Sequence, residues 1–303
     1  MSFVAGAGLT NIDLLYTGMP RIPDVGEELY SEGFELQLGG GTPATLINLG
    51  RLGVPSKIAT CLGKDIFSSF AKRKYEENGV SPLNLYSGDG IPVNITSAVI
   101  LKNDRSFITY GAGSIDADGN ALDSFYELAH GSKITIMQTG GFLEVYRKLH
   151  SEGTVLVLDT GWDDELSVEK YRDFLEIADY YTPNKKEALK ITGTENPDDA
   201  LKVLSAFFEK PVVKLDKDGV LGLENGRRIF VGSIDEFKNV DSTGAGDAFL
   251  AGFIFGLYYG YPFEDCLLFG NITGGKCVTG VGALTEYVGK EELLKIAESK
   301  KSK

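Results

Sequence analysis

Val240-Asp241-Ser242-Thr243-Gly244-Ala245-Gly246-Asp247-Ala248-Phe249 leads directly into an apolar helical stretch that runs to Tyr259. Glycines at 244 and 246 leave the backbone free to turn successive N–H groups toward one point, and the helix that follows adds the positive end of its dipole. Such a loop is an anion hole of the kind that a transferring phosphoryl group needs. Asp247, in the first helical turn, is placed to accept a proton from a nearby hydroxyl. The same residues also make an ordinary helix start, with Asp247 as a favourable first-turn acid and the glycines as a tight loop. Taken alone, the stretch supports both readings equally.

Outward from this helix, apolar runs of strand character alternate with runs of helical period. The pattern predicts strands at 3–6, 57–61, 97–101, 106–110, 133–138, 155–159, 211–215, 220–223 and 228–231. It predicts helices at 43–52, 66–78, 121–129, 143–151, 168–178, 185–191, 198–208, 245–259, 263–278 and 290–299. Alternation over most of the length implies an α/β fold, a doubly wound and mainly parallel sheet with helices on both faces. Asn225-Gly226 signals a tight antiparallel hairpin late in the chain. Two segments break the rhythm: 14–37 is polar and punctuated by Pro and Gly, and 92–111 holds two β-rich runs joined by Lys102-Asn103-Asp104-Arg105. Together they are expected to form a small sheet apart from the main core, within one domain spanning 1–303.

Composition narrows the function classes. Thirty Lys+Arg against 43 Asp+Glu leave a net charge of −13, which repels a phosphate backbone unless basic residues cluster. The dense basic runs, Lys72-Arg73-Lys74 and Lys300-Lys301-Ser302-Lys303, read as a solvated helix face and a frayed tail, so no nucleic-acid partner is expected. No run approaches 18 uninterrupted apolar residues, so no membrane span is expected either. Met1–Gly6 lacks the basic and long apolar regions of a secretory leader. Cys61, Cys266 and Cys277 sit apart in apolar sequence and read as buried free thiols. A reducing, cytoplasmic location follows as the expectation. With His130 and His150 the only histidines, histidine metal clusters and Ser-His-Asp relays are disfavoured.

Asp241–Phe249 followed by Ala251-Gly252 closely resembles the C-terminal signature of the PfkB (ribokinase-like) carbohydrate kinases. Leu38-Gly39-Gly40-Gly41-Thr42-Pro43-Ala44, running on to Gly50-Arg51-Leu52-Gly53, is similar to the family's glycine-rich substrate motif and first helix. Asn184-Lys185-Lys186-Glu187 resembles its Asn-x-x-Glu motif, and Asn11-Ile12-Asp13 falls where these kinases place sugar-binding residues. The matches keep the family's order across about 270 residues.

The resemblance implies a ribokinase-like fold with a β-sheet lid from about 14–37 and 92–111, and an ATP-dependent kinase acting on a hydroxyl, expected to be primary, of a sugar or polyol. It implies Asp247 as general base, with the backbone N–H groups of Gly244, Ala245 and Gly246 stabilising the phosphoryl group. Asn11, Asp13, Gly39, Gly40 and Gly41 would bind the substrate. Asn184, Lys214, Asp216, Gly219, Gly246 and Asn271 would contact ATP. Asn184 and Glu187 would orient Mg²⁺ through water; their other reading is an N-cap with its capping acid. Asp241, Thr243, Gly280 and Gly282 match where relatives hold a monovalent cation such as K⁺, although Asp241 also reads as a turn cap. Lid-to-lid homodimerisation is a further implication, with Val99, Leu101, Phe107 and Ile108 as its apolar positions. The pattern departs at the sugar: Ala44, Gly111 and Gly140 stand where relatives carry polar contacts, so fewer hydrogen-bonding groups are expected there.

Rival readings are a nucleoside kinase of the same superfamily and a non-catalytic sugar or nucleotide sensor; the latter has no need of a base such as Asp247. Gly270–Cys277 nearly spells a P-loop, but Cys277 replaces the Ser/Thr that holds Mg²⁺, and a helix with small residues for close packing is the better reading. Gly6-Ala7-Gly8 with Asn11 lacks the third glycine of a dinucleotide turn. Trp162 reads as loop packing or as a stacking surface for a ligand.

Overall fold

The computed structural model describes residues 2–102 and 104–301. Met1 of the leader reading, Asn103 of the predicted turn and Ser302-Lys303 of the basic tail lie outside the described residues. Six parallel strands form the main sheet in the order β10-β9-β8-β1-β4-β5. They are β1 (Val4–Ala7), β4 (Ser56–Thr60), β5 (Val80–Asn84), β8 (Ile134–Gln138), β9 (Val155–Asp159) and β10 (Tyr180–Tyr181). Their apolar runs alternate between two cores. Val4, Ile134, Ile136 and Val157 face one, while Ala5, Ala7, Met137, Leu156 and Leu158 face the other. A sheet covered on both faces requires such near-continuous apolar strands.

The first core is closed by α1 (Thr42–Arg51), α2 (Ile66–Glu77), α8 (Ala245–Tyr259), α9 (Phe263–Cys277) and α10 (Lys290–Lys301). The second is closed by α3 (Gly119–Ala129), α4 (Leu143–Ser151), α5 (Val168–Leu175), α6 (Lys185–Thr192) and α7 (Pro197–Leu204). From β1 the chain builds β4 and β5 on one side, then crosses to β8 on the other. That reversal opens a crevice at the carboxyl ends of the strands, where open α/β sheets bind ligands. Helices α8 and α9 pack through glycines: a Cβ on Gly252 would stand 2.3 Å from Thr273 Oγ1, and one on Gly270 would stand 2.7 Å from the Phe249 ring. Gly270–Cys277 is therefore helix with close-packing glycines, and the P-loop rival falls. All three cysteines are free and buried.

A separate antiparallel sheet joins β11 (Val212–Lys214), β12 (Gly219–Glu224) and β13 (Arg227–Gly232). Its Asn225-Gly226 turn has φ of 51° and 75° between the paired Glu224 and Arg227, the two positive angles that a type I′ hairpin needs. The small third sheet, ordered β3-β2-β6-β7, consists of β2 (Asn11–Thr17), β3 (Gly33–Leu38), β6 (Asn94–Ile100) and β7 (Arg105–Tyr110). Both hairpin pairs are antiparallel and the central β2–β6 pair is parallel. Four strands escape the sequence reading: β2, β3, β5 and β10. Asn11–Thr17 mixes polar and apolar residues because one end lines the crevice. Val80–Asn84 carries Pro82 and is tolerated as an edge strand. Tyr180–Tyr181 is only two residues long. No helix among the described residues is long and apolar enough to cross a membrane.

Candidate active site

Helix α8 begins without a side-chain cap, and its N-cap residue Gly244 is left-handed at φ 75°. A Cβ there would stand 2.4 Å from the Cβ of Ala283, so glycine lets the loop lie directly on residue 283. The first-turn N–H groups are thereby presented outward at the positive end of a 15-residue helix. Ala245 N–H is partly used, donating to Ser242 O at 3.3 Å.

Asp247, in that first turn, reaches back across the crevice. Its Oδ2 accepts from the Gly41 N–H at 2.9 Å, and a Cβ on Gly40 would stand 2.8 Å from the same oxygen. One residue earlier, a Cβ on Gly39 would meet both Asp13 carboxylate oxygens at 2.8 Å and the Asn11 Cβ at 2.9 Å. The three glycines thus seat two carboxylates on one short backbone, which residues with side chains could not do. Gly39 N–H donates to Asn11 O at 2.8 Å, pinning the glycine strand to β2. Asn11 and Asp13 belong to β2, which places Asp13 on a strand beside the glycine run. Burial raises the Asp13 carboxyl to about 6. Burial, reinforced by the negative charge of Asp159, raises Asp247 to about 7 against the opposing Gly41 hydrogen bond and the Lys214 charge.

Lys214, at the end of β11, lies beside the anion loop: its Nζ would be 3.3 Å from a Cβ on Gly246. Its backbone N–H donates to Pro183 O at 2.9 Å, and Lys214 forms a parallel bridge with Asn184. Asn184 and Glu187 make a complete capping box, Glu187 N–H to Asn184 Oδ1 at 3.0 Å and Asn184 N–H to Glu187 Oε2 at 2.8 Å. Burial raises the Glu187 carboxyl, opposed by Lys214 and the Asn184 hydrogen bond. Asp159 adds its field to both Glu187 and Asp247. Among the described residues no group of three or more acidic, Cys or His side chains is close enough to hold a metal ion directly, so a divalent cation here would be hydrated, with Asn184 and Glu187 orienting its waters.

The remaining expected residues are more dispersed. Asp216 starts an exposed 3-10 turn, Asp216–Asp218. Gly219 closes that turn at φ 112°, with Val231 O only 2.2 Å from where its Cβ would be. Asn271 is buried in α9 and donates both amide hydrogens to the backbone of β13, at 2.8 Å to Val231 O and 2.9 Å to Gly232 O. Asp241 accepts from Gly282 N–H at 2.9 Å, Thr243 N–H at 3.1 Å and Thr243 Oγ1 at 2.9 Å, and it pairs with the Arg105 guanidinium. Burial works to raise this carboxyl, but these bonds and the Arg105 charge hold it below the usual range. The charge partner at the expected K⁺ position is therefore an arginine from β7, and Gly282 offers the carboxylate its N–H. As arranged, this donor set does not fit a cation. Gly280 instead sits against Glu286, whose Cγ would be 2.6 Å from a Cβ there.

Three polar residues of the crevice escape the sequence reading. Asn94 Nδ2 donates to Asn11 Oδ1 at 2.8 Å and its Oδ1 accepts from Ala112 N–H at 2.8 Å. Gln138 Nε2 would be 3.9 Å from a Cβ on Gly41. With Asp159 they supply polar groups where Ala44, Gly111 and Gly140 do not. Asp159 and Gln138 carry one readable signal, a polar residue ending an apolar parallel strand. Trp162 is 58% exposed, with its Nε1 donating to Asp164 at 3.0 Å.

Residues 1–287 match the family model described as "pfkB family carbohydrate kinase". The chain is 25% identical to a ribokinase of Haemophilus influenzae, over 92% of this chain and 94% of the relative. It is also 25% identical to a nucleoside kinase of Methanocaldococcus jannaschii, over 94% of this chain and 93% of that one. Among solved structures it superposes on a ribokinase of Arabidopsis thaliana complexed with ribose and ATP, with a TM-score of 0.80, 21% identity, and 98% and 99% of the two chains covered.

Proposed function

The chain belongs to the pfkB family of carbohydrate kinases, and on that premise we propose that it transfers the γ-phosphoryl group of ATP to a hydroxyl, expected to be primary, of a sugar or polyol. The observation that carries this reading is the placement of Asp247. One carboxylate is held against Gly40 and Gly41 and rooted in the uncapped first turn of α8. A hydroxyl held at Asn11, Asp13 and Gly39–Gly41 meets Asp247 as its base, while the N–H groups of Gly244–Gly246 and the Lys214 ammonium take up the phosphoryl charge. Phosphoryl transfer asks little else of a protein than such positioning and electrostatic stabilisation. Mg²⁺, when bound at Asn184 and Glu187, would supply neutralisation of the phosphate charge. The ribose and ATP held by the Arabidopsis ribokinase support this reading.

A screen of ADP release across pentoses, hexoses, sugar acids, inositols and nucleosides tests it. Acceptor-dependent turnover that Asp247→Asn abolishes is the expected result. A folded protein that binds a sugar without ever releasing ADP would favour the sensor instead. The nucleoside kinase of M. jannaschii keeps nucleosides in the screen.

A further inference from the structure

A cavity of about 200 Å³ opens where β3, the last turn of α1 and the end of α2 meet Leu284 and Thr285. None of the residues placed in the crevice lines it. Its volume falls below the roughly 300–1,000 Å³ of sites that take drug-sized ligands, so only a small molecule fits. Leu38, Ile47 and Leu284 are buried on its lining, while Glu35 and Thr285 are exposed and mark its mouth.

Arg51, the half-buried last residue of α1, is the cation on this lining that lacks a carboxylate. Its Nε donates to Asn78 Oδ1 at 2.9 Å, and its Nη1 donates to Leu284 O at 3.0 Å and to Asn48 Oδ1 at 3.4 Å. The Tyr287 ring covers one face, its centre 4.0 Å from the guanidinium carbon. The N–H groups of Nη2 are left without an acceptor among the described residues. Burial lowers the guanidinium pKa, against the opposing pull of Tyr287 and Cys277. Beside it Asn48, only 6% exposed, keeps its Nδ2 unpartnered as well. The other charges on the lining are engaged elsewhere: Lys74 with Glu77 at 2.8 Å, and Glu35 with Thr285 Oγ1 at 3.3 Å. The carbonyl end of α1 and the tyrosine face offset part of the Arg51 charge. A bound anion would remove the rest of that cost.

We propose that this cavity is a regulatory site for a small organic monocarboxylate, whose carboxylate takes the open Nη2 edge of Arg51 and whose carbon body lies on Leu36, Leu38, Ile47 and Leu284. A dianion such as inorganic phosphate would bring a second charge toward Glu35 with no second free cation to meet it. The site reaches the anion loop in two steps. Leu284 holds Arg51 through its carbonyl and Gln37 through its N–H, the latter at 3.1 Å. Its neighbour Ala283 is the residue on which Gly244 rests. A ligand that steadies Leu284 steadies that support, so its binding favours phosphate at the loop. This coupling rests on the reading of Gly244–Gly246 as the phosphate loop; the binding at Arg51 does not.

The test titrates isobutyrate, pyruvate, inorganic phosphate and chloride, at equal ionic strength, against the thermal melting of the natural protein, Arg51→Lys and Glu35→Gln. Isobutyrate or pyruvate should give a saturable rise with a dissociation constant on the order of 1 mM, as suits so small a ligand. Phosphate and chloride should not. Arg51→Lys keeps the charge but not the fork, and should weaken the carboxylate about tenfold or more. Glu35→Gln removes the repelling charge at the mouth and should tighten it about threefold. If Arg51→Lys does not fold, Glu35→Gln decides, because a purely structural Arg51 predicts no change there. Calorimetry then reads the coupling: saturating isobutyrate should tighten ATP about fivefold or more, and ATP should tighten isobutyrate by the same factor. A rise that does not saturate, that chloride reproduces or that is equal in all three proteins leaves Arg51 a clamp between helices and overturns the proposal. Unchanged ATP affinity with isobutyrate bound overturns it too. ATP that binds in neither case condemns the kinase reading instead, and the melts still decide the site.

Discussion

Asp247 combines two burdens that a surface acid never carries: it is half-withdrawn from water at the base of the crevice, and it stands in the field of Asp159. Its carboxyl is raised to about 7, so a base here is active only as the pH rises through neutrality. The expected kcat/KM profile climbs about tenfold per pH unit below 7 and levels above it; a flat profile between pH 5 and 8 would remove Asp247 from the proton transfer. Asp247→Asn should lower kcat by about 10²–10⁴-fold while ATP binding survives. The same shift has a stability consequence. A folded-state value above the unfolded one means that the native state binds the extra proton, so stability present below pH 4 is lost as the pH rises toward 7. Asp247→Asn should therefore melt higher than the natural protein at pH 8, a difference that shrinks toward pH 4. Equal melting at both pH values would argue against the raised carboxyl.

At the scale of elements, the start of α6 separates a structural role from a chemical one. Glu187 caps its own helix through the Asn184 N–H while standing near Lys214 and Asp159. Glu187→Gln keeps a side chain able to complete the capping box, so stability should move by less than about 0.5 kcal/mol. Removal of the charge should nevertheless raise the Mg²⁺ concentration needed for half-maximal rate. An unchanged Mg²⁺ titration would leave Glu187 as a cap alone. The start of α8 is less forgiving. Gly244→Ala forces a left-handed residue, at about 1–2 kcal/mol, and drives a methyl into Ala283. A clear drop in melting temperature is expected, together with lost turnover.

For the whole molecule, the small sheet is tied to the anion loop by the Arg105–Asp241 pair. Its β7 strand turns outward with Phe107 53% and Ile108 77% exposed. Arg105→Ala leaves a partly buried carboxylate without its charge partner, so the variant should depend on K⁺ more strongly than the natural protein does. The check is the rate with K⁺ against the rate with a bulky organic cation, and identical ratios in both proteins would sink the idea. The exposed apolar residues of β7 also motivate a dimer through the lid sheet. Sedimentation at micromolar concentration should show it, and a clean monomer with and without ligands would reject it.

The sequence by itself determined what is local. Helix α8 and β9 run over the very residues that the apolar periodicity marks, Ala245–Tyr259 and Val155–Asp159, and the Asn225-Gly226 turn follows from two residues that tolerate positive φ. The glycine start of α8 and the capping box at Asn184–Glu187 were legible for the same reason, since each acts through its own backbone, whereas the glycine run at 39–41 stood out only through its resemblance to the family motif. Only the tertiary structure decided what depends on partners distant in the chain. The two insertions were expected to share a small sheet and do, but the bounds of β2 and β3 follow from β2 pairing with β3 and with β6 some eighty residues away, a register that no window of sequence contains. Gln138 and Asp159 reach the site because the parallel strands β8 and β9 end at one edge, Asn94 because β6 begins beside Asn11 of β2, and Asp241 meets Arg105 because the small sheet leans over it. Hydrophobic period is written along the chain, whereas electrostatic environment is set by which side chains folding brings within a few ångströms.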